Sequence, residues 1–152
     1  MRKKVYVFSF IFFLIDLISK IIITNININM PYKVINNFFY IDMVTNKGAA
    51  FSILSGWSII FIIIAIVVLF YIDRFIVTDT DHFLYLSLII GGIFGNLIDR
   101  LLYGEVLDFL SFKFGSFYFP IFNFADVFIC VGVFLLIIKY YRSGKNGNKG
   151  EE

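Results

Sequence analysis

The chain has 152 residues, a formal charge of +2 and a composition that is 60% hydrophobic, including 21 Phe and 9 Tyr; its mean hydropathy is +0.89. A soluble domain of this length has too little interior to bury so much Ile, Leu and Phe, so lipid must cover the remainder. The small charge, with basic residues gathered near the ends, argues against nucleic-acid binding, and a single Cys and a single His leave no internal disulfide and no zinc site.

In chain order, Met1-Arg2-Lys3-Lys4 is followed by an apolar run to Ile23 that imitates a signal peptide, but no small-x-small cleavage site follows. An uncleaved first span over about 5–23 is the better reading. In the loop after it, about 24–55, Tyr32-Lys33-Val34-Ile35 and Phe38-Phe39-Tyr40-Ile41-Asp42-Met43-Val44 are β-prone and predict a short antiparallel sheet at the membrane surface. A second span is predicted over 57–72, extending back through 51–56, and a short turn leads to a third over 83–102. The next loop carries Val106-Leu107-Asp108-Phe109-Leu110 and an aromatic run from Phe112 to Phe119 that Pro120 ends; such rings suit headgroup depth. A fourth span is predicted over 122–141, and the Gly-, Lys- and Asn-rich tail, 142–152, is expected to be disordered. Basic residues flank both chain ends, so the positive-inside rule places both termini in the cytoplasm and both long loops outside.

Ionisable groups inside spans are costly and mark function by default. Asp16, Ser19 and Lys20 lie late in the first span, Asn96, Asp99 and Arg100 late in the third, and Asn123 and Asp126 early in the fourth. With the predicted topology all of them reach the outer side, while the cytoplasmic halves are nearly pure hydrocarbon. Asp16 and Lys20 share a helix face at a spacing of four, and Gly91 and Gly95 have the small-xxx-small spacing of close helix packing, which makes the third span the packing centre. Each group has a plainer explanation. Asp16 and Lys20 suit a structural ion pair, Asp99 and Arg100 a pair ending a helix, Asn123 and Asp126 a helix cap, and Asp108 a solvated loop aspartate. Those explanations leave unaccounted for why the groups all collect at one depth.

Two carboxylates sharing one proton can hydrolyse a peptide bond, one accepting a proton from water and the other protonating the leaving amine. Asp126, in the first turn of a helix, and Asp108, flanked by Leu107 and Phe109, suit such a pair. A Ser/Lys dyad fits poorly, because adjacent Ser19 and Lys20 point about 100° apart on a helix and Ser52 with Lys47 has no defined partner. Cys130 with His82 fits no better. A transporter using Asp16, Lys20 and Arg100 as a charge relay would need polar groups continuing toward the cytoplasm, and a purely structural subunit would tolerate replacement of both aspartates.

Five blocks carry a family resemblance: Asp16-Leu17-Ile18-Ser19-Lys20, Asn46-Lys47-Gly48-Ala49-Ala50-Phe51-Ser52, Gly91-Gly92-Ile93-Phe94-Gly95-Asn96-Leu97-Ile98-Asp99-Arg100, Val106-Leu107-Asp108-Phe109 and Phe122-Asn123-Phe124-Ala125-Asp126. In this order, over nearly the whole chain, they resemble bacterial lipoprotein signal peptidase (signal peptidase II). The resemblance implies a polytopic, all-α membrane protein in a single domain, with four transmembrane helices, a small extracytoplasmic β-cradle and a short outer-surface helix. It implies an aspartic endopeptidase of the cytoplasmic (inner) membrane that removes the signal peptide from prolipoproteins, cutting just before a diacylglyceryl-modified cysteine. Asp108 and Asp126 match the family's catalytic aspartates; Asp16, Lys20, Asn46, Gly48, Asn96, Arg100 and Asn123 match its supporting, substrate-binding positions. No metal or organic cofactor is expected, and the implied partners are prolipoprotein and membrane lipid, met by a monomer. The resemblance is what raises Asp108 to an equal partner of Asp126.

Overall fold

The computed structural model describes residues 2–26, 29–48, 56–76 and 83–147. Its elements are α1 (Arg2–Asn25), β1 (Tyr32–Ile35), β2 (Phe39–Asn46), α2 (Ser58–Tyr71) with a π-helical extension (Ile72–Ile76), α3 (Phe83–Tyr103), β3 (Val106–Phe114), β4 (Phe117–Tyr118) and α4 (Phe124–Gly147).

The chain is a helical membrane protein carrying a small antiparallel sheet. Among the described residues three helices, α1, α3 and α4, are long and apolar enough to cross a membrane. The fourth expected span is shorter than its sequence suggested: α2 has 14 regular residues, against roughly 20 needed for a straight crossing. It does not extend backward, since Gly56 adopts a left-handed φ of +90° and Trp57 is non-helical. It lengthens instead at the other end through the π-helical turn. No short helix on the sheet side occurs among the described residues, and Ser52 lies outside them. At the far end α4 continues to Gly147, so the first part of the expected tail is helix. No proline interrupts it.

α3 sits between α1 and α4 because its glycines remove the side chains that would hold the helices apart. A Cβ on Gly91 would stand 2.7 Å from both the Ser9 carbonyl oxygen and Phe12 Cβ of α1; one on Gly92 would meet the backbone of α4 at Ala125 and stand 2.8 Å from Ile129 Cγ1; one on Gly95 would meet Asp16 and Ala125. Gly132 of α4 repeats the device against Ile89 and Tyr85 of α3.

The sheet has the order β1-β2-β3-β4, antiparallel throughout. The hairpin of β1 and β2 is where the β-prone residues predict it. The second outer segment is not the loop expected from sequence: β3 lies beside β2, with Asp108 opposite Val44 and Leu107 opposite Thr45 across a bulge in β2. Pairing gives its amides partners and allows Val106, Asp108, Phe109, Leu110 and Ser111 to be buried. Phe109 and Leu110 then join Ile23 of α1 in a core backed by Phe39, Phe112, Phe122 and Phe124. A second core, Val5, Ile72, Leu86, Ile89 and Ile90, closes the opposite end of the bundle. The polar residues of α1 and α3 fall between the two.

Candidate active site

Each polar side chain is placed by a local rule. Asn123 precedes α4 and caps it: its Oδ1 accepts the Asp126 N–H at 2.9 Å, and the Asn123 N–H donates to Asp126 Oδ2 at 3.2 Å. This reciprocal arrangement satisfies two of the free amides at a helix start and fixes the Asp126 carboxylate over the first turn. A third free amide, Ala125 N–H, donates to Asp16 Oδ1 of α1 at 2.9 Å.

Asp108 arrives from β3. Its Oδ1 accepts from Asn123 Nδ2 at 2.7 Å and its Oδ2 from Asn46 Nδ2 of β2 at 3.1 Å. Asp126 Oδ1 accepts from Asn96 Nδ2 of α3 at 2.8 Å. Asn123 Nδ2 lies 3.1 Å from Asn96 Oδ1 as well, so three asparagine amides join the two carboxylates into one network. Asp108 is only 4% exposed. Burial, and then the charge of Asp126, push its pKa from 3.8 up to about 7, against the opposing effects of the Asn46 and Asn123 hydrogen bonds and of Lys20.

Both aspartates line a cavity of about 470 Å³. Asn46, Asn96 and Arg100 make its polar end; Val127, Ile129, Cys130 and Val131 of α4, with Phe119 and Phe122, make an apolar wall. Arg100 donates to the Gly48 carbonyl oxygen at 3.0 Å, and its guanidinium lies 5.1 Å from the Phe61 ring centroid of α2. Gly48 N–H in turn donates to Asn46 Oδ1 at 2.9 Å, so Arg100, Gly48 and Asn46 form one support beside Asp108.

Behind the cavity lies a buried ion cluster. Lys20 Nζ stands 2.7 Å from Asp16 Oδ2 and 2.8 Å from Asp99 Oδ2, and 3.4 Å from Asn96 Oδ1. The Asp16–Lys20 pair follows from the sequence spacing. Asp99 does not pair with Arg100 as its neighbour; it faces Lys20 and accepts the Leu107 N–H at 3.3 Å. Asp99 was not among the site residues chosen from sequence. The signal was present, since one buried lysine had two carboxylates at its depth. Ser19 is no nucleophile paired with Lys20, because its hydroxyl donates to the Asp16 carbonyl oxygen of its own helix. Toward the opposite end of the bundle, Ser9 and Ser87 donate to backbone carbonyls, and among the described residues the polar layer does not continue as a relay through the apolar core there.

The family model described as Signal peptidase (SPase) II matches residues 8–142. The chain is 39% identical over 145 residues to a lipoprotein signal peptidase of Bacillus pumilus (strain SAFR-032), covering 92% of this chain and 94% of that one. A bacterial membrane enzyme solved by the in meso method at 2.3 Å resolution superposes with a TM-score of 0.85 at 35% identity, covering 93% of this chain and 90% of that chain. Another, solved the same way at 1.9 Å, gives 0.78 at 34% identity, over 90% and 91% of the two chains.

Proposed function

Because the chain belongs to the signal peptidase II family, we propose that it is an aspartic endopeptidase that cuts the signal peptide from prolipoproteins, just before a diacylglyceryl-modified cysteine. One observation carries the reading: Asp108 from the sheet and Asp126 from the helix bundle line a single cavity and are tied to each other through Asn123.

Two like charges in a low-dielectric site do not both ionise, so the pair holds one proton. We assign it to Asp108, on the strength of its burial and the neighbouring Asp126 charge. Asp126 takes a proton from the attacking water as the water oxygen bonds to the scissile carbonyl carbon. Asp108 gives its proton to the nitrogen as the C–N bond breaks. Transfer of a proton from Asp126 to Asp108 restores the pair. Asn96 and Asn123 orient the carboxylates, Asp16 and Lys20 support them from behind, and Arg100, Asn46 and Gly48 hold the substrate backbone. The apolar wall along α4 suits acyl chains.

In the bilayer, α2 with its π-helical extension is the fourth crossing. Both termini are cytoplasmic, and the sheet and the aspartate pair lie at the outer face of the bacterial cytoplasmic membrane. The chain is one domain and acts as a monomer on substrates presented in lipid.

The test is processing of a diacylglyceryl-modified prolipoprotein by membranes containing Asp108→Asn or Asp126→Asn at wild-type abundance. Each variant is expected to lose about 10³-fold or more in kcat. Wild-type cleavage by either one refutes the pair.

A further inference from the structure

The buried cluster of Asp16, Lys20 and Asp99 holds more carboxylate than a structural ion pair requires. One ammonium needs one counter-ion, and a second buried carboxylate adds a desolvation cost. Its placement gives it a use. Asp16 Oδ1 accepts the N–H of Ala125, and Asp99 Oδ2 accepts the N–H of Leu107. Ala125 immediately precedes Asp126, and Leu107 immediately precedes Asp108. Lys20, 2.7 Å and 2.8 Å from the two carboxylates, joins these arms. Its remaining contact, to Asn96 Oδ1, leads through Asn96 Nδ2 to Asp126 itself.

We propose that Asp16, Lys20 and Asp99 form a spacer that sets the separation of the two site aspartates, with Asp99 the positioning residue for Asp108. The inference rests on the aspartate-pair reading above. Lys20 is the pivot, Asp16 the arm that fixes the first turn of α4, and Asp99 the arm that fixes the entry of β3. The sheet touches the ion cluster at the backbone just before Asp108, so a small shift there is carried directly into the reacting group. A displacement of about 1 Å in such a site costs on the order of 10² in rate.

The decisive comparison is Asp99→Leu against Asp99→Asn in purified protein cleaving a diacylglyceryl-modified prolipoprotein. Asp99→Leu leaves the Asp16–Lys20 pair intact, so no buried charge is orphaned, but it removes the acceptor for Leu107 N–H. Asp99→Asn removes the same charge and keeps an acceptor oxygen. The expected result is that Asp99→Leu melts near the wild-type temperature with KM nearly unchanged, while kcat falls about 10²-fold. Its alkaline limb in the pH–rate profile moves to lower pH, because Asp108 drawn away from Asp126 holds its proton less firmly. The groups that face Asp108 from the surrounding elements, Asp126 of α4, Lys20 of α1, Arg100 of α3 and Asn46 of β2, are all still present in this variant. Asp99→Asn is expected to recover kcat to within a few-fold of wild type. The spacer is overturned if folded Asp99→Leu keeps wild-type kcat and limb position, or if folded Asp99→Asn loses as much kcat as Asp99→Leu. Should Asp99→Leu not fold, Asp99→Ala, which adds no bulk, takes its place; if neither folds, Asp99→Asn decides alone, near-wild-type kcat supporting the spacer and a 10²-fold loss overturning it. Asp108→Asn and Asp126→Asn run beside these variants: cleavage by either defeats the pair itself, whereas their inactivity with an unaffected Asp99→Leu defeats the spacer alone.

Discussion

Asn123 is fully buried and belongs to both halves of the site. Its backbone and Oδ1 are engaged with Asp126, and its Nδ2 makes its shortest contact, 2.7 Å, with Asp108. An amide suits this position because it donates and accepts without carrying charge, so it can join two carboxylates without deciding which of them is protonated. That decision falls to burial and to the neighbouring charge, which raise Asp108 to about 7. The sign follows for the protonated form as the proton donor: the rate is sustained below that value and falls as pH rises through it. Measured kcat/KM against pH is expected to show a descending limb near neutrality, about three units above that of an ordinary aspartate at 3.8. A rate that climbs steadily through neutrality contradicts the assignment. Asp126 was legible from sequence because a helix start and a spacing of three from Asn123 are local features. Asp108 was legible only through the family resemblance, because nothing beside it in the chain tells a solvated loop from a buried strand.

At the scale of elements, α3 organises the molecule through its glycines. Sequence spacing correctly made it the packing centre, but it did not show that Gly91 serves α1, Gly92 serves α4 and Gly95 admits Asp16. Gly92 is the most informative to change, since its added side chain would meet the backbone of α4 at Ala125, which cannot swing aside as a side chain can. Gly92→Val is expected to cost about 1–3 kcal/mol or more by overpacking and to push Asp126 out of register. A thermal melt in detergent and a cleavage assay check both effects, and a variant with wild-type melting and activity would show that the helices tolerate separation. The helices were readable because hydropathy is a property of consecutive residues. The pairing of β3 with β2 was not, because it joins segments about sixty positions apart, Thr45 to Leu107 for example, and no local period encodes such a partner.

Over the whole molecule, Asp126 belongs to a three-helix core and Asp108 to a sheet laid against its end. The joint between them includes the apolar cluster around Ile23, Phe109 and Leu110 and the hydrogen bonds of Asn123, Asp99 and the Phe122 backbone, whose carbonyl accepts from Phe109 N–H at 3.0 Å and Leu110 N–H at 2.8 Å. The helices, with every backbone bond internal to the segment, are the more durable part in lipid or detergent. On heating, cleavage activity is expected to disappear before the helical circular-dichroism signal does, as the sheet leaves the bundle first. Simultaneous loss of both signals would mean that sheet and bundle form one cooperative unit.

Cys130 lies one helical turn beyond Asp126 on α4, exposed at the apolar wall of the cavity. It is also the chain's single thiol. The protein therefore carries a native chemical tag on the wall of the cavity that Asp108 and Asp126 line. A lipid-soluble alkylating dye attached there reports on the filling and emptying of that cavity, and the unaltered sequence already supplies the attachment point.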